Sequence, residues 1–124
     1  MSTLSKAIAI ASEAFKNKND KGGKPYILHC LHVMYGVEHL GEEAMICAVL
    51  HDLIEDFPKV WSFDKLIKQK FSQEVIIILQ LLTHREGTDY MDYVKALSVH
   101  PIARAIKMKD IEHNTQVTRL KGLL

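Results

Sequence analysis

The side chains of this sequence that can do chemistry together fall in three places. In the first, seven non-polar residues, Ala44 to Leu50, lead into His51, Asp52, Glu55 and Asp56. On one continuous helix, at about 100° per residue, these four fall at roughly 0°, 100°, 40° and 140°, on one broad face. Three carboxylates crowded there repel one another, and burying them without a counter-charge is costly. A bound cation removes that conflict. Taken alone, the same acids also fit a solvated helix end fraying into Phe57-Pro58.

The second place is His29, within the apolar run Tyr26-Ile27-Leu28-His29-Cys30-Leu31-His32-Val33. By itself it reads as a core histidine with a satisfied nitrogen. His32, one turn on, reads as an outer neighbour or a surface residue. In the third place Asp110 and Asn114, four apart, share a helix face with Ile106, so one line of side chains passes from apolar to polar. A solvated stripe with Lys107 explains that stretch alone. Together, His29, His51, Asp52 and Asp110 supply two imidazoles and two carboxylates. That mixed nitrogen and oxygen set suits Mn²⁺, Fe²⁺ or Zn²⁺ better than Ca²⁺ or a thiolate-selected metal, and its spacing is not the His-Glu-x-x-His of zinc proteases.

The elements that must position these groups are helical nearly throughout. Leu4, Ala7, Ile8, Ala11, Ala14 and Phe15 recur at steps of three and four, predicting a helix over 4–16. Asn17 to Pro25 breaks the pattern, and its stretch Asp20 to Pro25, with two glycines, a proline and two lysines, predicts a loop, with Pro25 placed to open a helix over 26–38. A third helix follows Gly41, over 42–55. Ser62 and Ser72 are candidate caps for helices reaching Phe71 and His84. Val75-Ile76-Ile77-Ile78-Leu79 has strand-like composition, but its continuation into Gln80-Leu81-Leu82 favours a buried helix. Helices over 89–99 and from Pro101 to about Leu120 complete an all-α reading of about six or seven helices in one domain, residues 1–124.

Composition narrows the function. Over 124 residues, 48% hydrophobic and 25% charged, 16 Lys+Arg oppose 15 Asp+Glu for a formal charge of +1. This mixture excludes a disordered chain or a rod, and its balance argues against nucleic acid or an anionic membrane as partner. Cys30 and Cys47 lie in apolar helical stretches without a CxxC spacing, as buried thiols of a reducing cytoplasm do. The start, Met1-Ser2-Thr3-Leu4-Ser5-Lys6, lacks a signal-peptide pattern, and no apolar run reaches the ~20 residues that span a bilayer. A cytoplasmic protein is expected.

Three ordered segments resemble the HD-domain metal-dependent phosphohydrolases, specifically the hydrolase domain of Rel/Spo-type alarmone enzymes and their small stand-alone relatives. Gly23-Lys24-Pro25-Tyr26-Ile27-Leu28-His29 resembles the family's Gly-x-Pro-Tyr-x-x-His. Ala48-Val49-Leu50-His51-Asp52-Leu53-Ile54-Glu55-Asp56 is similar to its Ala-x-Leu-His-Asp-x-x-Glu-Asp. The stretch from Ala105 to Asn114 resembles Val-Lys-x-x-Asp-x-x-x-Asn. The resemblance implies an HD-type helical bundle with His29, His51, Asp52 and Asp110 as metal ligands. Glu55 and Asp56 would activate and orient the attacking water, and Asn114 would contact the nucleotide. The implied reaction is Mn²⁺-dependent removal of the 3′-pyrophosphate from guanosine tetra- or pentaphosphate, giving GDP or GTP and pyrophosphate.

Elementary chemistry is compatible with that expectation. A divalent metal lowers the pKa of water and neutralises phosphoryl charge, and Glu55 could accept the proton if acidic neighbours raise its own pKa. Phosphoryl transfer needs cations around the oxygens. Lys21 and Lys24 flank a Gly-Gly turn whose backbone can approach phosphate, though a solvated surface turn explains it equally. Tyr90 or Tyr93 could stack on a base, against a competing role in packing. Arg104 and Arg119 read as surface residues, Trp61, Met34 and Met45 as core fillers, and His39, His84, His100 and His113 have no evident partner. Another nucleotide (a dNTP, a nucleoside monophosphate or NADPH) or a nucleotide-binding module of weak activity are the alternative functions. A nucleotide pocket walled by fewer helices than in small alarmone hydrolases makes a homodimer plausible.

Overall fold

A computed structural model describes residues 3–123, with side chains for 3–116, which leaves Arg119 outside the described side chains. Eight α-helices and one 3-10 turn account for its regular structure: α1 Leu4–Ala14, α2 Ile27–Gly36, the turn Glu38–Leu40, α3 Glu42–Val49, α4 Leu53–Asp56, α5 Phe63–Lys68, α6 Gln73–Leu82, α7 Tyr90–Ser98 and α8 Pro101–Leu123. The fold is all-α, as expected, and among the described residues the only strand-like pairing is an isolated bridge from Asn19 to Pro25.

Most helix starts are written in their caps. Thr3, Ser62 and Ser72 each accept a hydrogen bond from a backbone N–H three residues on, and Asp89 accepts from Met91 and Asp92. Gly41 sits at φ 103°, a left-handed conformation that turns the chain from the 3-10 segment into α3. On α6, Val75, Ile78, Leu79 and Leu82 are buried at helical spacing while Ile77 faces outward, so tertiary packing overrides a strand-like composition.

The core lies where α2 and α3 pack together, with α1 against α3, α6 against α3 and α8 crossing α2, α6 and α7. Ala7, Ala11, Val33, Val49, Leu53, Leu66, Ile78 and Ile106 are fully enclosed. Met34 is buried among them, and Met45 and Trp61 pack against the core as fillers. Cys30 and Cys47 are buried free thiols.

One expectation fails instructively. The helix foreseen over 42–55 breaks into α3 and α4, with Leu50 (φ −101°, ψ 2°) and Asp52 (φ −102°, ψ 0°) off helical geometry. His51 Nδ1 lies 2.6 Å from the Ala48 carbonyl, the acceptor that the Asp52 N–H would use in a continuous helix. The 100° arithmetic therefore does not carry across the break, and Glu55 and Asp56 are placed by a separate turn. None of the described helices is long and apolar enough to cross a membrane.

Candidate metal centre

The break in α3 and the crossing of α8 over α2 converge four side chains. His29 comes from the first turn of α2, His51 and Asp52 from the α3–α4 turn, and Asp110 from α8, one turn past the core residue Ile106. One donor atom from each lies within 4.8 Å of every other. His29, His51 and Asp110 are buried, and Asp52 is nearly so. His29 Nε2 lies 2.9 Å from Asp110 Oδ1. His51 Nε2 lies 3.0 Å from Asp52 Oδ2 and 3.3 Å from Asp110 Oδ1.

These last two contacts lack hydrogen-bond alignment, so His51 Nε2 is a buried polar atom without a hydrogen-bond partner. Its opposite nitrogen already donates to Ala48, which leaves Nε2 aimed between two carboxylates. A lone pair there is tolerable only with a positive charge in between. In the metal-free molecule a proton supplies it. Desolvation, the largest influence, disfavours the imidazolium, but the Asp52 charge and the close carboxylates prevail and hold His51 well above its ordinary pKa. Asp52 answers in kind: desolvation pushes its carboxyl up, yet the His51 charge and its close approach, helped by the Tyr26 hydroxyl, hold it down at about 2. Asp110 is likewise held far below the ordinary carboxylate range, against desolvation, by contacts with His29, His51 and Lys107. Two imidazoles and two ionised carboxylates form a donor set that fits a divalent transition metal.

Surrounding groups orient the four. The Tyr26 hydroxyl donates to Asp52 Oδ2. Asn114 Nδ2 donates to Asp110 Oδ1 at 3.0 Å and Lys107 Nζ to Oδ2 at 3.3 Å. His29 Nδ1 meets His113 Nδ1 at 2.8 Å. Glu55 accepts the His84 backbone N–H. Partial desolvation raises its pKa, with the His84 bond opposing. Asp56 Oδ2 takes Lys18 Nζ at 2.5 Å. An open cleft of about 590 Å³, lined by Ile54, Glu55, Asp56, Thr83, His84 and Glu86, adjoins this acidic pair.

Other residues singled out from the sequence fall elsewhere. Lys21 and Lys24 are exposed on the loop before α2, but their turn is not an open phosphate cradle. Asp20 Oδ1 accepts Gly22 N–H at 2.8 Å and Lys24 N–H at 2.9 Å, and the Asp20 carbonyl takes Gly23 N–H. The lysine that does reach the acidic pair is Lys18, lying 4.1 Å from the Tyr26 ring centroid. Sequence reading passed over it, although it stands at the mouth of the same loop. Tyr93 is a packing residue whose hydroxyl donates to Leu82 O at 2.8 Å, while Tyr90 is half exposed. Arg104 is exposed.

Three histidines that seemed partnerless have partners. His100 lies 3.0 Å from Glu74, and His84 stacks on Tyr93 with Nε2 at 2.7 Å from Thr88 O. His113 bonds His29 and stacks on His32. Its signal was position: three residues after Asp110, on the same side of α8. His32 itself stays outside the four-donor set.

Comparison with known proteins accords with this architecture. A family model described as HD domain matches residues 7–121. The chain belongs to the HD domain family. Two curated relatives carry one name, guanosine-3′,5′-bis(diphosphate) 3′-pyrophosphohydrolase. The protein from Aquifex aeolicus (strain VF5) is 26% identical over 117 residues, covering 86% of this chain and 16% of the relative. That from Haemophilus influenzae (strain ATCC 51907 / DSM 11121 / KW20 / Rd) is 32% identical over 88 residues, 69% of this chain and 12% of the relative. This chain thus spans less than a fifth of either. A solved structure described as a metazoan ortholog of SpoT that hydrolyzes ppGpp shares the fold, with a TM-score of 0.69 at 18% identity over 89% of this chain and 66% of that one.

Proposed function

We propose that this chain is a metal-dependent phosphohydrolase that removes the 3′-pyrophosphate from guanosine tetra- or pentaphosphate. The observation that carries the metal-dependent chemistry is the buried His51 Nε2, aimed without a hydrogen bond between the Asp52 and Asp110 carboxylates. The substrate choice leans on the shared name of the two curated relatives.

His29, His51, Asp52 and Asp110 are the proposed ligands, with Mn²⁺ the favoured ion and Fe²⁺ or Zn²⁺ suited to the same donors. When bound, such an ion supplies Lewis-acid stabilisation of phosphoryl charge and lowers the pKa of water. The chain's own groups do the rest. Glu55, its pKa raised by partial desolvation, is the base that takes a proton from the attacking water. Asp56, tied to Lys18, orients that water. Tyr26 keeps Asp52 turned inward, and Lys107 and Asn114 do the same for Asp110. Lys18 and the exposed side chains of Lys21 and Lys24, rather than the turn backbone that Asp20 closes, are the proposed cationic side that receives the phosphates. Asn114 and the exposed Tyr90 are proposed to contact the nucleoside.

The test is product analysis after incubating the Mn²⁺-supplemented protein with guanosine tetraphosphate, beside dNTPs, nucleoside monophosphates and NADPH, with Asp52→Ala as control. GDP and pyrophosphate, abolished in the control, are expected. Turnover of another nucleotide alone would discard the substrate and keep the chemistry. Metal binding with no turnover at all would make the site a nucleotide-binding module.

A further inference from the structure

Each imidazole of the four-donor set turns Nε2 inward and Nδ1 outward, and the two outward nitrogens are held differently. His51 Nδ1 uses a main-chain acceptor, the Ala48 carbonyl, which no side-chain substitution removes. His29 Nδ1 faces another ring nitrogen, His113 Nδ1, at 2.8 Å. Two ring nitrogens at that separation share one proton, so one donates and the other accepts. When a cation takes the lone pair of His29 Nε2, the single proton of neutral His29 resides on Nδ1. His113 Nδ1 is then the acceptor.

We propose that His113 is a positioning residue for His29: by accepting the His29 Nδ1–H, it holds the ring so that the Nε2 lone pair faces the cation beside Asp110. The inference rests on the metal reading above. The arrangement is braced on both helices. The His113 ring lies within 12° of the His29 plane and stacks on His32 at 3.9 Å between centroids and 18° between planes. His32 is three residues after His29 on α2, and His113 is three residues after Asp110 on α8. Each helix therefore supplies one inward ligand and, one turn later, one ring of the outer stack. Partners that fix a ligating histidine's free nitrogen raise its basicity and limit its rotation.

Two substitutions separate the hydrogen bond from the stack. His113→Phe keeps a ring against His32 and removes the acceptor, whereas His113→Asn removes the ring and puts an acceptor oxygen near the Nδ1 position. Zn²⁺, diamagnetic and suited to the same donors, is the probe. Its affinity is measured by competition with a chelator, and the His29 ring nitrogens are observed by ¹⁵N NMR in the Zn²⁺-loaded protein. The Phe variant is expected to bind Zn²⁺ about 10- to 100-fold more weakly and to lose the His29 Nδ1–H signal, while the Asn variant stays within about threefold of wild type and keeps it. Thermal melts without metal establish that each variant folds. Wild-type affinity and an undiminished His29 Nδ1–H signal in His113→Phe overturn the proposal, as does a loss confined to His113→Asn, which would assign the effect to stacking. Failure of the unaltered protein to bind Zn²⁺ or Mn²⁺ is a separate result that removes the metal reading and this inference together.

Discussion

Metal binding to the four-donor set should be visible as thermal stabilisation, because only the folded chain brings positions 29, 51, 52 and 110 within 4.8 Å. A ligand present at about a hundred times its Kd stabilises the folded state by ~2.7 kcal/mol. For 124 residues, an unfolding entropy of ~2.1 cal/mol/K per residue gives about 0.26 kcal/mol/K, so Tm should rise by ~10 °C. Asp52→Ala removes one donor and one charge. If its affinity falls by about a hundredfold, the upper end of what losing an outer partner alone costs, the same Mn²⁺ concentration yields only ~0.4 kcal/mol, or ~2 °C.

The shift should also grow with pH. His51 has a raised pKa in the metal-free fold, so its proton stabilises that fold below about pH 6.5, the unfolded value, and the contribution is lost as pH rises through the folded value. The same proton must leave before metal binds. Raising the pH therefore weakens the metal-free protein and strengthens binding together. Differential scanning fluorimetry with and without Mn²⁺, from pH 6 upward, reads both effects. Equal shifts in wild type and Asp52→Ala, or a shift independent of pH, would refute the reasoning.

Glu55→Gln should abolish turnover while leaving the Mn²⁺-induced Tm shift close to wild type, since Glu55 lies outside the four donors; loss of the shift, measured alongside product formation, would move Glu55 into the binding set. Tyr26→Phe deletes the hydroxyl bond to Asp52 and should cost about 1.5 kcal/mol at neutral pH. The Asp52 contribution is full above its unfolded value near 3.8 and lost as pH falls toward about 2. Weakening its partner should raise the acid-unfolding midpoint of the metal-free protein, as followed by circular dichroism. Ile106→Ala empties a fully enclosed position one turn before Asp110 and should cost about 2–5 kcal/mol in urea unfolding. A loss under ~1 kcal/mol would mean that α8 repacks with little strain.

Helix positions were legible because their signals are local. Ser62, Ser72 and Asp89 cap the helices they were expected to open, and the pattern of 75–82 resolves into a helix once its length is weighed. His29, His51, Asp52 and Asp110 were legible as a donor set because few other functions need such groups in otherwise apolar helices. What escaped depends on where side chains reach, whether to a nearby main-chain group or to a distant residue. The break at Leu50–Asp52 arises from the His51 ring competing for a main-chain acceptor, which no periodicity reveals. The Asp20 carboxylate closing its own Gly-Gly turn is likewise a geometric fact, as is the reach of Lys18 to Asp56. His113 was hidden because its partner stands 84 residues away.

The two buried thiols carry a kinetic meaning of their own. Burial pushes both above the ordinary thiol range, and neither is exposed, so a thiol reagent finds almost no thiolate to attack in the closed molecule. Labelling must wait for the fold to open, and its rate counts openings. Cys30 sits beside His29 on α2 and Cys47 lies under α6, with Sγ 3.7 Å from the Val75 carbonyl. The molecule therefore carries two internal clocks: one set in the helix that a cation would clamp to α8, the other in the layer behind it.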